Sequence, residues 1–454
     1  VGSISTAMFS TAEAMRVIQR QVTVAQNNIL NASTPNYARL DQATLANRFN
    51  PDSESTSGGI SSAPLQSSRN HFFETAVWQR QTAAGYSEQS LVSLKAIESA
   101  VPVTANSGIP GALDKFYGGA AQLAISPNST QARQTVLDRS QAVANSFNQA
   151  ANEFGALTAR AGTELTNTVK EINKLAGELS AINAERRSNF RNVSDAGLDA
   201  RLHSTLEKLS QLTDHNSLSQ EDGSVVVLLA GQTPLVVGDR AYPITANYDN
   251  SQFKILDGQG VDVTAKITTG KLGALLETRN VTLPNYANQL DTLAIGFADQ
   301  VNGILAGGLD SNGASPTQNL FGYNAVSGAA ATLTVTGITP AQLAAAGSTE
   351  PGGNANANRL ARLSSTPAIG GLTLSQYYGS LASGLGTKLD TIRGRSTSDG
   401  QLLLQARNLR QEATGVSIDQ EAAKLLEYQR GFQAVGQVLG ILNEMSDTLL
   451  NILR

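Results

Sequence analysis

Ser417-Ile418-Asp419-Gln420-Glu421-Ala422-Ala423-Lys424-Leu425-Leu426-Glu427-Tyr428-Gln429-Arg430-Gly431-Phe432-Gln433-Ala434 opens the last helical stretch of the chain. Ile418, Leu425, Phe432, Leu439 and Leu453 share one seven-residue register, and Tyr428, Val435, Leu442 and Leu449 lie three residues after it, with Ser446 the one break in the first row. That is the a/d spacing of a helix built to pack on other helices. Asp419 and Glu421 oppose the helix dipole in the first turn, which sets the start at Ser417. The opposite end repeats the pattern. Met8, Met15, Val22 and Ile29 are seven apart, and Thr11, Ile18, Ala25 and Ala32 follow each by three. The seam stops at Thr34-Pro35-Asn36-Tyr37, where Pro35 presets the φ of a turn's second residue and Asn36 tolerates a left-handed third position.

Inward from the ends, Asn50 to Ser68 is rich in Pro, Ser and Gly and reads as a linker with at most short strands. Helical spacing resumes near Phe72 and continues past Pro102, Gly108 and Pro110 through Phe116, Leu123, Val136, Val143, Phe147 and Phe154, then Leu165 to Ile182 and Leu198 to Leu209. Gly155, Gly162 and Gly177 each weaken this stretch by about 1 kcal/mol relative to Ala. Near Ser219 the period drops to two, and Val225 to Leu229, Leu235 to Val237, Tyr242 to Tyr248 and Phe253 to Leu256 read as strands parted by Asp-Gly, Gly-Asp and Asp-Asn turns. Leu283, Leu290, Phe297 and Ile304 restore the helix, and a Gly-rich stretch from Gly307 to Asn358 holds one strand candidate, Ala331 to Val335. The expected fold is mainly α with a β insertion: an elongated multidomain chain with terminal helices in a coiled-coil-like domain (1–50 plus 410–454), a helical middle domain (51–218, 270–308 and 355–409) and a small outer β-domain (219–269, alone or with 309–354).

The length of 454 residues allows about three domains. A net charge of −4 with only 15% charged residues gives no basic field for phosphate backbones, so no nucleic-acid partner is expected. The absence of cysteine excludes disulfides, thiolate nucleophiles and thiolate metal sites. His71, His203 and His215 are too few and too scattered for a histidine metal site or a Ser-His-Asp triad. Asp310-Ser311-Asn312-Gly313 has the flavour of a calcium loop but lacks the later bidentate Glu, and reads as a β-turn. Asp214-His215 has no nucleophile motif beside it, and His215 reads as a helix C-terminal cap. Glu153 and Glu164 read as surface carboxylates rather than a glycosidase pair. No catalytic, cofactor-binding or metal residue is therefore expected. No apolar run is long enough for a bilayer and the start Val1 to Met8 is not a secretory leader, so neither a membrane partner nor a cleaved signal peptide is expected.

Asn28-Ile29-Leu30-Asn31-Ala32-Ser33-Thr34-Pro35-Asn36-Tyr37 resembles the signature near the start of flagellar rod, hook and hook-associated proteins, with Asn28, Asn31, Thr34, Pro35 and Tyr37 on the motif positions. The run from Ser417 to Ala434 resembles the ending shared by hooks and hook-associated protein 1, and Gly270 to Arg279, Leu283-Pro284 and Val301-Asn302 are similar to the hook-associated protein 1 family in particular. The sequence departs from that family at Asn36, where Gly is usual, and at Gly197 to Leu202, where an Asp-x-Arg-Asp run is missing. The resemblance implies a non-enzymatic structural protein at the hook-filament junction of the bacterial flagellum. It implies a ring-like homo-oligomer, with the hook protein and a second junction protein as neighbours. It further implies export through the flagellar type III apparatus, with a cytoplasmic chaperone on the C-terminal helix, to an extracellular location. A hook or distal rod protein is the nearest alternative; an axial scaffold carrying a cell-wall hydrolase is another. Because the seams lie at the chain ends, where an isolated helix has few partners, Met8, Met15, Ile18, Val22, Ile29, Ile418, Leu425, Tyr428, Phe432, Val435, Leu439, Leu442 and Leu449 are expected to pack between subunits.

Overall fold

The computed structural model describes residues 2–49, 58–102, 107–188 and 195–452, so Leu453 and the linker residues 50–57 lie outside it. In chain order the elements are α1 (Gly2–Leu30), β1 (Leu40–Asp41), β2 (Thr44–Ala46), β3 (Ile60–Ser62), β4 (Gln66–Ser67), α2 (His71–Ala100), α3 (Gly108–Ile125), α4 (Thr130–Ser188) and α5 (Ala196–Leu212). Strands β5 (His215–Ser219), β6 (Val225–Leu229), β7 (Thr233–Val237), β8 (Arg240–Ala241), β9 (Thr245–Asp249) and β10 (Gln252–Leu256) follow. The chain then runs through α6 (Gly270–Glu277), a π turn (Thr278–Thr282), α7 (Leu283–Ala306), β11 (Phe321–Gly322), α8 (Ala329–Thr332), β12 (Thr334–Val335), α9 (Ala355–Arg362), α10 (Leu374–Thr414) and α11 (Ile418–Ile452). The protein is mainly α with an inserted β region, as its periodicity indicates. The expected strand from Ala331 to Val335 is split. Its first residues are helical because the Asp291 carboxylate accepts the Ala330 N–H at 2.8 Å and the Thr332 hydroxyl folds back on the Gly328 carbonyl at 2.7 Å.

One compact unit gathers Val1–Ala84, Glu171–Ile244 and Asp399–Arg454. Its four-stranded sheet is an antiparallel meander, β5-β6-β7-β8, which begins earlier than the alternation indicates, at His215; the unit also holds the two-stranded pairs β1-β4 and β2-β3. Val225, Val227 and Leu229 point to the buried face of β6, and Ile172, Leu179, Ile182, Leu202, Leu206 and Leu209 on the end of α4 and on α5 are buried in the same unit. The fully buried side chain of Asn183 clamps β6, accepting from Val225 N at 2.9 Å and donating to Val225 O at 2.8 Å. An amide is the side chain that can present one donor and one acceptor to a strand residue, replacing the neighbouring strand that the residue lacks.

The second unit gathers Gly85–Lys170 and Thr245–Ser398. Its core centres on Phe297, whose ring meets Phe116, Phe147 and Phe321 at centroid distances of 5.3, 6.4 and 5.0 Å. Asn280 and Asn302 repeat the amide clamp on Phe253 and Phe321. The hairpin β9-β10 turns through Asn250 and Ser251, with φ of 48° and 65°, and Arg279 lies over both its aromatic rings, Tyr248 at 5.2 Å and Phe253 at 5.5 Å. The three glycines of α4 differ. A Cβ on Gly162 would come 2.9 Å from the Phe253 ring, whereas Gly155 and Gly177 have open space.

Candidate functional site

The helical seams at the two ends meet each other. α1 and α11 run antiparallel, since Asn28 bonds Glu421 while Cβ atoms built on Gly431 and Gly436 would lie 3.6 Å from Ile18 Cδ1 and 3.7 Å from Met15 Cε. The small residues on α11 let the helices close. Ile18 is buried, and Met8, Met15, Val22 and Ile29 are half-buried; so are Leu425, Tyr428, Phe432, Val435, Leu439, Leu442 and Leu449 on α11, while Ile418 is exposed. The expectation that a terminal helix finds few partners within its own chain is thus overturned, because the nested topology brings both ends together. Among what the pairing leaves in solvent are a second row on α11, Val438, Ile441, Met445 and Ile452, 48, 57, 50 and 74% exposed, with Leu426 and Leu450 elsewhere on α11 and Phe9 and Leu30 on α1. That row's spacing of three, four and seven residues is again that of a helix-packing stripe.

The signature from Asn28 to Tyr37 is the lock at the closed end of this pair. Thr34 to Tyr37 forms the expected turn, closed by Tyr37 N donating to Thr34 O at 3.2 Å, with Asn36 at φ 59°. Thr34 Oγ1 donates to Asn31 Oδ1 at 3.2 Å and Asn31 Nδ2 to Asn27 O at 3.0 Å, so these motif residues shape the helix end; Pro35 is exposed at the turn's second position. The turn sends the chain back past α1, where Asn28 makes four bonds while wholly buried. Its Oδ1 accepts from Leu40 N and the Tyr37 hydroxyl, both at 3.0 Å; its Nδ2 donates to Leu40 O at 2.9 Å and Glu421 Oε2 at 3.0 Å. The second oxygen of Glu421, itself 1% exposed, accepts from Lys424 at 2.9 Å, and Lys424 also reaches Asp41 at 3.3 Å. Burial beside the Glu421 carboxylate pushes the Tyr37 phenol up to about 12, so it stays a donor. Burial works against the charge on Lys424, but Glu421 and Asp41 outweigh it and its ammonium is held above its usual range. Glu421 was legible only as a dipole-opposing acid; nothing local marks it as the partner of Asn28.

A second polar cluster in this unit escaped the sequence. Arg69 pairs with the fully buried Glu74 and, at 2.6 Å, with Asp199; Arg186 approaches Asp199 at 3.9 Å. Arg410 bridges Glu74 at 3.2 Å and Glu207 at 2.8 Å, and Arg407 reaches Glu207 at 2.7 Å. Burial opposes the charge of Glu207, but Arg410 and Arg407 overcome it and hold the carboxyl below its ordinary range. The available signal was Asp199, His203 and Glu207, three residues four apart on one stripe of α5. Asp199 takes up ion pairs although the Asp-x-Arg-Asp run is missing. His215 is not a helix cap: Thr213 caps α5, and the His215 ring lies against Trp78 with both nitrogens buried and unbonded. Asp310 closes the expected turn, accepting from Asn312 N at 2.8 Å and Ala314 N at 2.9 Å. Glu164 is tied to Lys271, and Glu153 stands three turns away on the unbroken α4, roughly 16 Å along its axis, beyond the ~5–9.5 Å of a glycosidase pair. Among the described residues no group of His, Asp and Glu gathers as a metal site, and no helix is long and apolar enough to cross a membrane.

Fold and site together define a class: a mainly helical protein whose chain ends pair as long amphipathic helices and leave an apolar stripe uncovered. The pattern described as "Flagellar hook-associated protein FlgK helical domain" matches residues 94–321, and that described as "Flagellar basal body rod FlgEFG protein C-terminal" matches 409–452. The chain belongs to the flagellar hook-associated protein FlgK family. Flagellar hook-associated protein 1 of Bacillus subtilis is 23% identical, over 96% of each chain, and that of Escherichia coli 21% identical, over 96% of this chain and 98% of the relative. The solved flagellar hook junction protein FlgK from Burkholderia pseudomallei shares the fold, with a TM-score of 0.68 at 16% identity, over 75% of this chain and all of that one.

Proposed function

We propose that this protein is a structural component of the bacterial flagellum that assembles at the junction between hook and filament, with no chemistry of its own. The observation that carries this reading, beside the family, is the α1-α11 pair. Apart from the buried Ile18 and the exposed Ile418, its seam residues from Met8 to Leu449 are only half-covered by each other, and Val438, Ile441 and Met445 are uncovered. In a ring-like assembly of identical copies, neighbouring pairs complete that burial and form a tube of helices, with the hook protein on one side and a second junction protein on the other. Before assembly, the same α11 surface suits a cytoplasmic chaperone that keeps it from self-association during unfolded export. Deletion of the coding sequence tests the reading. Electron microscopy should find hooks without filaments, restored by the wild-type chain; filaments of normal number on the deletion strain would overturn it.

A further inference from the structure

All three histidines of the chain surround its one tryptophan. Trp78, 5% exposed on α2, stacks on the His203 ring of α5 at a centroid distance of 5.8 Å and an interplanar angle of 16°. The His215 ring of β5 meets it at 5.3 Å and the ring of His71, exposed at the start of α2, at 6.2 Å. His215 Nδ1 and Nε2, His203 Nδ1 and the indole Nε1 are shut off from solvent without a hydrogen-bond partner. A neutral imidazole is tolerated in such a place; an imidazolium would hold its charge there on buried nitrogens that have no hydrogen-bond partner.

The surroundings offer that charge no relief. His203 faces Arg69, His71 and Glu74 on and before α2, Arg186 at the end of α4, Asp199 on its own helix, and Arg410 on α10, and the same ion-pair cluster continues through Glu207 to Arg407. Its nitrogens lie 3.7 Å from carboxylate oxygens of Glu74 and Asp199, but each of those carboxylates, like Glu207, is already held by two guanidiniums. Four arginines face three carboxylates, so a proton on His203 adds to an existing positive surplus. His215 has Asp214 beside it in the chain and shares the Trp78 ring with His71 of α2.

We propose that the histidine-tryptophan stack is a proton-sensitive latch, which on acidification charges His203 and His215, parts α2 from α5 and β5, and loosens this unit while the other unit, which contains no histidine, keeps its core. Burial, with Arg69, Arg186 and Arg410 adding to it, pushes His203 well below the usual imidazole range, and burial pushes His215 down to about 4. The sign follows. The opened form binds protons more tightly, so the stability held by the neutral rings is complete above roughly pH 6.5 and declines as pH falls toward the folded values.

The intact protein carries its own probe, since Trp78 is the only tryptophan. Urea unfolding followed by its emission maximum, repeated from pH 7.5 to 4, should show the midpoint falling steeply between about pH 6.5 and 4.5. In the double variant His203→Gln, His215→Gln that fall should shrink by about half and begin lower, where the carboxylates titrate. An equal fall in the double variant, or a wild-type midpoint flat down to pH 5, overturns the latch. Whether or not the double variant folds, histidine ring NMR on the wild-type chain decides independently: the His203 and His215 rings should stay untitrated until the Trp78 emission moves, and both titrating near pH 6.5 with unchanged emission would overturn the proposal. Hydrogen exchange at pH 5, corrected for its intrinsic pH dependence, should show protection lost around Leu202 and kept around Phe297; loss at both sites together refutes the confinement to one unit.

Discussion

Replacing Asn28 by Ala removes a side chain that ties α1, the returning strand and α11 to a single point. The truncation deletes four hydrogen bonds of 2.9 to 3.0 Å in a place with no exposure, and leaves Leu40 N, Leu40 O, the Tyr37 hydroxyl and one oxygen of Glu421 without that partner. A stranded neutral group costs about 1 kcal/mol or more and a stranded charged acceptor about 1.5–3. Lys424 still holds the other oxygen of Glu421, which keeps the charged contribution toward the lower figure. The sum is about 3–5 kcal/mol, or roughly a 200- to 5,000-fold rise in local opening. Native-state hydrogen exchange reads it directly: the Leu40 amide and the first turns of α11 should lose protection by that factor, while the amides around Phe297 in the other unit should be unchanged. Asn28→Asp sharpens the test, because a carboxylate facing Glu421 is repelled at neutral pH and should partly recover as it is protonated below about pH 5. A loss of less than tenfold at Leu40 for Asn28→Ala would refute the claim that this amide locks the helix pair.

Phe297→Ala should lower the stability of the unit built around it by about 3–5 kcal/mol, read as a drop in thermal midpoint, since three rings lose their common neighbour. Arg410→Met should cost about 2–4 kcal/mol by leaving buried Glu74 and Glu207 each short of a guanidinium. The stability held by ionised Glu207 is present above its unfolded value near 4.3 and lost as pH falls through its lowered folded value, so in urea titrations Glu207→Gln should flatten the acid limb below about pH 4. On α4, Gly155→Ala should stabilise by up to about 1 kcal/mol, whereas Gly162→Ala should destabilise, because only the second Cβ meets the Phe253 ring; paired thermal melts check the opposite signs. Phe432→Asp and Leu439→Asp, both half-buried on α11, should abolish filament assembly in complemented cells and loosen α1 from α11, with the Phe297 core intact; Gln437→Asp, on the exposed side, should assemble normally.

What depends on neighbours a few residues away could be read along the chain. The seven-residue rows made α1 and α11 amphipathic helices, Pro35 and Asn36 made the turn that ends the first of them, and alternation placed β6, β7, β9 and β10. Those signals are periodic, so they survive in one dimension. The tertiary structure alone decided whom each face meets. Asn28 and Glu421 are 393 residues apart, and neither bears a mark that names the other. Asn173, Asn183, Asn280 and Asn302 each grip the N–H and C=O of a single residue far along the chain, as Asn28 does, and an asparagine on a helix looks the same in sequence whether it clamps a strand or faces water. The ion-pair cluster and the three histidines on Trp78 are of the same kind. Their stripe on α5 was readable, but their burial was not, because desolvation is a property of everything packed around a group rather than of the group and its chain neighbours.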